Sequence, residues 1–181
     1  MLDGSLKNVV DVDKLNVSLL ANSSSYFEGK DYAVILHDPS DIRKPHSEKL
    51  ESLGKVKSLE GKLVNGYRTF NSIAVDLRGP ALRLLSSHPY STGEEAFVGV
   101  REAKAYQSDQ VSDAERSAQI AAHQQAGTAY NLKDILWEHI QTIDQTIQQA
   151  NPQAIRVHVL DREFDDQAVF KFFQGQDDLF V

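Results

Sequence analysis

The chain has 181 residues, of which 41% are hydrophobic and 25% are charged, a balance typical of a globular protein. One main domain is expected at this length, with enough residues to bury a sizeable core. The chain contains no cysteine, so disulfides and thiolate metal sites are excluded. The net charge of −7 argues against nonspecific DNA binding by the whole surface.

The sequence also bears on the compartment. No apolar stretch approaches the roughly 20 residues that a membrane-spanning helix needs. The first residues lack the basic and apolar regions of a signal peptide. Together these features predict a cytoplasmic protein that does not contact a membrane.

The first half of the chain predicts strands separated by turns. Residues 1–30 are weakly apolar and predict a linker with a short helix near residues 15–20. The first clear strand spans residues 32–38, which are almost all apolar. Two further strands are predicted over residues 66–77 and 81–87, and the turn between them makes a hairpin.

The second half of the chain predicts alternating helices and strands. A helix is predicted over Leu132–Ala150 because its leucines and isoleucines recur at three and four residues. A strand at Ile155–Leu160 follows, then a short helix with an apolar stripe over residues 169–173, and a new strand begins at residue 179. Residues 117–125 are predicted to be either helical or mobile, since few of them can pack a core.

This order of elements predicts the fold class. A hairpin followed by alternating helices and strands is typical of an α/β protein with a mixed β-sheet flanked by helices.

Two of the predicted strands end in an aspartate. These residues are Asp38 and Asp161, and Asp161 is followed by Arg162 and Glu163. A carboxylate at the end of a buried strand is costly unless it meets a cation or hydrogen-bond donors. Two such strands side by side, about 4.8 Å apart, would bring both carboxylates together, as in a two-metal phosphoryl-transfer site. Two simpler interpretations stay open: Asp38 begins a turn with Pro39, and Asp161 is the ion-paired start of the next helix.

The segment of residues 39–70 is locally basic. Such a segment either contacts a phosphate backbone or forms a solvated loop. Its basic side chains are Arg43, Lys44, Lys49, Lys55, Lys57, Lys62 and Arg68, and its acidic ones are Asp41, Glu48, Glu51 and Glu60.

Other sequence motifs give no support to other enzyme classes. The glycine motifs of phosphate loops and dinucleotide-binding folds do not occur, and neither does the serine-hydrolase motif. The 6 histidines are scattered, without metal-ligand spacing. We therefore expect His37 and His158, which lie inside predicted strands, to be packed polar groups.

Several short stretches of this chain resemble the bacterial DDE transposases, most closely the insertion-sequence class with a tyrosine–arginine–glutamate–lysine signature. The similarity covers most of the chain, and the aspartate–arginine–glutamate triplet is its most specific part. The matching stretches are His37-Asp38-Pro39-Ser40-Asp41-Ile42, Leu53-Gly54, Asn65-Gly66-Tyr67 and Leu160-Asp161-Arg162-Glu163-Phe164-Asp165.

The resemblance implies an RNase H-like catalytic core in which two aspartates and a glutamate hold Mg²⁺ or Mn²⁺. Asp38 matches the first catalytic aspartate and metal ligand, and Asp161 matches the second. The third carboxylate of the family belongs to a helix beyond the strand in which this sequence stops. Residues 31–181 are therefore expected to be a partial core, incomplete at its C-terminus, and residues 1–30 the remnant of an N-terminal region.

The resemblance also implies partners. DNA is expected as transposon ends and as target, bound by a homodimer in a synaptic complex. The residues expected to contact DNA are Arg43, Lys44, Arg68 and Arg162. Glu163 is expected to support the metal ligands without touching the metal.

Three functions fit the sequence. The leading one is a transposase catalytic core that cleaves and joins DNA strands, inactive as this fragment. The second is a complete RNase H-like nuclease whose third carboxylate is Asp41, Asp76 or Glu163. The third is a remnant without catalysis that acts as a folding or interaction module.

Overall fold

The computed structural model describes residues 11–99, 112–161, 164, 167–174 and 179–180. Within them, a short 3₁₀ helix at Ser24–Phe27 follows the first helix. The helices are α1 (Val12–Ser23), α2 (Asp113–Ala126), α3 (Leu132–Ala150) and α4 (Gln167–Phe173). The strands are β1 (Tyr32–Arg43), β2 (Gly54–Lys57), β3 (Leu63–Val75), β4 (Leu82–Tyr90), β5 (Ile155–Leu160) and β6 (Leu179–Phe180).

The strands form one 6-stranded sheet in the order β2-β3-β1-β5-β6, with β4 also paired to β3. Strand β2 is antiparallel to β3, whereas β5 is parallel to both β1 and β6. Because parallel strands need a crossover connection, the chain passes through α3 before β5 and through α4 before β6. The predicted α/β class with a mixed sheet and helices is confirmed.

The predicted end of β1 is wrong. The turn expected over residues 38–41 is part of the strand, which continues to Arg43. Contacts from other parts of the chain support this extension. Asp41 Oδ1 lies 3.2 Å from Arg68 Nε, and the Nε group of Arg43 donates to the carbonyl of Lys57 at 2.7 Å. Such cross-strand contacts override a local preference for turns.

The chain divides into two compact units. The first comprises the described residues of 1–38, 71–87 and 139–181. The second comprises those of 39–70 and 88–138. Strands β1, β3 and β4 and helix α3 each contribute residues to both units.

The core of the first unit is an apolar layer between strands and helices. Helix α3 presents Ile143 and Ile147, both fully buried, which is the stripe that its periodicity predicts. Helix α1 adds Leu20, so the segment predicted as a linker contributes to this core. The buried members of the core are Leu20, Phe27, Ala33, Ile35, Ala74, Leu85, Ile143, Ile147 and Ala154.

The second unit has a core of its own, which includes Phe70, Tyr90 and Phe97. Helix α2 contributes Arg116, whose guanidinium is buried and donates to the carbonyls of Thr92, Glu94 and Phe97 at 2.5–3.2 Å. These bonds satisfy a buried cation with carbonyl oxygens. The helix begins with a capping box between Ser112 and Glu115.

None of the helices in the described part of the chain is long and apolar enough to cross a membrane.

The core of the first unit can be tested with Ile147→Ala. Ile147 is fully buried, so the substitution should lower the free energy of unfolding by about 2–5 kcal/mol. Val17 is a matched control because it also lies in a helix but is 67% exposed. Val17→Ala should change the stability by no more than about 0.5 kcal/mol. Urea unfolding followed by circular dichroism measures both, and equal losses would contradict this description of the core.

Candidate functional site

The register of β1 and β5 brings the two predicted catalytic aspartates to neighbouring positions. The strands run parallel, and His37 lies opposite Leu160 at the end of the paired stretch. The paired stretch ends there, and Asp38 and Asp161 are the residues that directly follow His37 and Leu160 in the sequence. Neighbouring strands are about 4.8 Å apart, which is a spacing that one or two metal ions can bridge.

Asp38 lies on the face of the sheet opposite the core. Side chains alternate between faces along a strand. In β1 the buried residues are Ala33, Ile35 and His37, so Asp38 belongs to the other face. Asp161 directly follows the end of β5, and both Asp38 and Asp161 are exposed.

No third ligand joins them in the part of the chain that the structure describes, where no group of three or more metal-ligating side chains occurs. Asp41 is paired with Arg68, and its Oδ2 accepts from the backbone N–H of Lys57. Asp76 lies 2.8 Å from Lys30 Nζ and accepts from a backbone N–H. Glu163, the remaining candidate, lies outside the described residues.

The predicted DNA-contacting residues have different surroundings. Arg43 and Lys44 are exposed at the end of β1. The side chain of Arg68 is only 11% exposed, beside Asp41, and its guanidinium lies 5.8 Å from the centre of the Tyr90 ring. Arg68 therefore holds strand residues together within the second unit. Arg162 lies outside the described residues.

The opposite face of the first unit carries a buried row of hydrogen-bonded side chains, here named the histidine–serine chain. None of its five histidine and serine side chains is more than 5% exposed. Its contacts are Ser86 Oγ to His139 Nε2 (3.1 Å), His139 Nδ1 to Ser72 Oγ (2.8 Å), Ser72 Oγ to His37 Nδ1 (2.8 Å), His37 Nε2 to His158 Nδ1 (2.9 Å) and His158 Nε2 to Asp144 Oδ1 (3.2 Å).

Asp144, at one end of the histidine–serine chain, determines the direction in which the hydrogen bonds donate. A carboxylate only accepts, so the proton of His158 faces Asp144 on Nε2. Nδ1 of His158 then accepts from Nε2–H of His37, whose Nδ1 in turn accepts from the Ser72 hydroxyl. The remaining bonds follow in the same sense, so every donor points toward Asp144. This direction corresponds to one tautomer of each ring, and it is an assignment from the hydrogen-bond partners.

The surroundings of Asp144 fit this role. Its side chain is 16% exposed, and Oδ1 also lies 3.9 Å from the guanidinium Nε of Arg156. The angle between His158 Nε2 and Asp144 falls outside hydrogen-bond geometry, so this contact is mainly electrostatic. The ring of Phe173 lies against His158 at 5.6 Å and covers it. The Asp144 carboxylate therefore polarises the histidine–serine chain, whose histidines and serines are shielded from water.

Sequence reasoning found only part of this network. The prediction that His37 and His158 are packed polar groups is confirmed, since they are 2% and 0% exposed and hydrogen-bonded. The sequence did not predict that Ser72, Ser86 and His139 belong to the same network, although they are equally buried. One signal was present: Ser72 and Ala74 stand two residues apart in β3, which places the serine on the core face.

A shallow cleft of about 120 Å³ lies near the start of β1, far along the strand from Asp38. Its walls include two ion pairs, Lys30–Asp76 and Arg78–Asp31, at 2.8 and 3.2 Å. These charges are satisfied by one another, so the cleft has no convergent group available to a ligand in the described part of the chain.

No known protein family, no curated protein and no solved structure matches this chain. Its function is therefore argued from the placement of its own residues.

The histidine–serine chain makes the stability depend on pH. Burial, and then the charges of His158 and His139, hold the pKa of His37 well below its usual 6.5. The folded protein thus leaves His37 neutral while the unfolded chain takes up a proton below pH 6.5. The stability that depends on neutral His37 is fully present above pH 6.5, and it is lost as the pH falls toward the pKa of His37 in the folded protein.

In this window the unfolding free energy should fall by up to about 1.4 kcal/mol per pH unit because of this one group. His37→Gln removes the titrating group, so its stability should depend less on pH between 7 and about 5. Urea unfolding at several pH values measures both slopes. Identical slopes for the wild type and His37→Gln would show that His37 is not the neutral buried group described here.

Proposed function

We propose that this chain carries a partial RNase H-like core of a DNA transposase, which cleaves and joins DNA strands with divalent metal ions. The observation that supports it best is that two exposed carboxylates, Asp38 and Asp161, directly follow His37 and Leu160, the last paired residues of adjacent parallel strands. Asp38 and Asp161 are more than 120 positions apart in the sequence, so the pairing of β1 with β5 brings distant parts of the chain to the same end of the sheet. The resemblance of their flanking residues to DDE transposases points to the same pair.

The donor set fits the metal that this chemistry uses. Mg²⁺ and Mn²⁺ prefer carboxylate oxygens, and Mg²⁺ is commonly held by only one or two carboxylates while it keeps several waters. When bound, such ions stabilise the attacking and leaving oxygens of a phosphodiester. Asp38 and Asp161 would hold the ions in place. Arg162 would contact a phosphate and Glu163 would orient Asp161.

The second unit supplies the groups suited to a phosphate backbone. Arg43 and Lys44 are exposed, and the Arg43 guanidinium is held by its bond to the Lys57 carbonyl. A guanidinium fixed in this way keeps other N–H groups for a phosphate. Arg68 contributes indirectly, because its ion pair with Asp41 stabilises the strand that carries Arg43.

Metal binding is the direct test of the carboxylate pair. In calorimetry the wild type should bind one Mn²⁺ weakly, because two carboxylates without a third provide few ligands. Asp38→Asn and Asp161→Asn should each abolish this binding. Asp13→Asn is the control, since Asp13 is an exposed carboxylate in the first turn of α1. Binding that persists in Asp161→Asn would overturn the proposed site.

A cleavage assay separates the proposal from its alternatives. With Mn²⁺, the 181-residue chain should not nick supercoiled plasmid, because no third carboxylate joins the pair among its described residues. Asp161→Ala should therefore be indistinguishable from the wild type in this assay. Robust nicking that is lost in Asp161→Ala would instead favour a complete nuclease.

A further inference from the structure

The hydrogen bond between His37 and His158 is the contact of the histidine–serine chain that joins β1 directly to β5. The two ring nitrogens are 2.9 Å apart, the ring centres 5.2 Å apart, and the ring planes 18° from parallel. Because the two nitrogens are this close, the imidazoles of His37 and His158 meet edge to edge. Both side chains are almost completely buried, so the bond forms in a dry environment where it is strong.

This bond depends on the register of the two strands. His37 lies opposite Leu160, and His158 lies opposite Ile35, so the two imidazoles form a diagonal pair on one face. A shift of β5 by one residue would move His158 to the other face of the sheet. A shift by two residues would keep the face but change the diagonal offset. The bond therefore forms in the register whose last pair, His37 with Leu160, directly precedes Asp38 and Asp161.

The same elements carry both pairs. His37 immediately precedes Asp38 in β1, and His158 is three residues before Asp161, which directly follows the end of β5. Because side chains alternate between faces, His37 is on the face opposite Asp38. The imidazoles are thus anchored in the core, a few residues along the same backbone from the two carboxylates.

The rest of the network restrains the two imidazoles. His37 is fixed from the other side by Ser72, and His158 by Asp144 and the ring of Phe173. Asp144, at one end of the histidine–serine chain, and His139, next to the other end, both belong to α3, so one helix restrains the network at two points. Neither ring can turn without breaking a buried hydrogen bond or a contact with a carboxylate.

We propose that His37 and His158 are positioning residues, whose interstrand hydrogen bond holds Asp38 and Asp161 in the geometry that binds the divalent metal. This inference rests on the proposed function. It assigns the histidines no contact with metal or DNA, and they act through the backbone of β1 and β5. Groups that orient metal ligands from behind typically change metal affinity by about 10- to 100-fold when they are lost.

Two substitutions at one position separate the interstrand bond from the rest of the network. His37→Asn keeps an oxygen that can accept from Ser72 but is too short to reach His158. His37→Gln keeps an amide that can donate to His158 but loses the Ser72 contact. The first should weaken Mn²⁺ binding by about 10- to 100-fold, and the second should bind nearly as tightly as the wild type. Calorimetry on the full chain measures both.

The control is a variant that damages the network without touching the interstrand bond. His139→Leu leaves the hydroxyls of Ser72 and Ser86 without their histidine partner, so it should lower the melting temperature while Mn²⁺ affinity stays at the wild-type level. Amide hydrogen exchange in β5 gives a second readout, and it should accelerate in His37→Asn more than in His139→Leu.

The outcomes are distinct. If the wild type shows no Asp161-dependent Mn²⁺ binding, the proposed function fails and the positioning role fails with it. If the wild type binds and His37→Asn binds equally well, only the positioning role is overturned. If His37→Asn does not fold, two substitutions of His158 test the same hydrogen bond. His158→Gln loses the acceptor for His37 and should bind Mn²⁺ weakly. His158→Asn keeps that acceptor and should bind Mn²⁺ nearly as tightly as the wild type.

Discussion

The parallel register of β1 and β5 is the constraint on which the other features of the first unit depend. It determines which side chains face α3 and which face solvent, because one residue of slip exchanges the two sets. On the inner face it brings His37 within hydrogen-bond distance of His158, and its last pair, His37 with Leu160, directly precedes Asp38 and Asp161. The buried contact between the histidines and the proposed acidic pair therefore depend on the same backbone alignment.

The histidine–serine chain occupies core volume that apolar side chains usually fill. An apolar residue in place of His37 or His158 would avoid the desolvation of an imidazole, so stability alone does not explain these choices. A buried network of hydrogen bonds, by contrast, restricts how its members can be arranged. The second unit follows a similar rule, since buried Arg116 is bonded to three backbone carbonyls. In both units, buried polar groups specify geometry where apolar packing would leave alternatives.

Local patterns predicted the elements whose signal lies within a few residues. Helix α3 and strand β5 have the predicted bounds because the periodicity of α3 and the apolar composition of β5 are local signals. The end of β1 could not be predicted, because its continuation past Pro39 depends on Asp41 meeting Arg68 from another strand. The parallel pairing of β1 with β5 follows the α/β order of elements, whereas the pairing of the two aspartates stays a prediction from strand ends and from resemblance. The histidine–serine chain was not predicted, since its members are distributed over four strands and a helix and have no common spacing.

The separation of His37 and His158 along the chain, 121 residues, has a consequence for folding. Contacts this distant require closure of a long loop before they contribute any energy, and folding slows as the mean separation of contacts increases. Hairpins and α3 are local and can form first. The β1–β5 alignment is therefore expected to form late, and any property that depends on this alignment belongs to molecules whose topology is already complete.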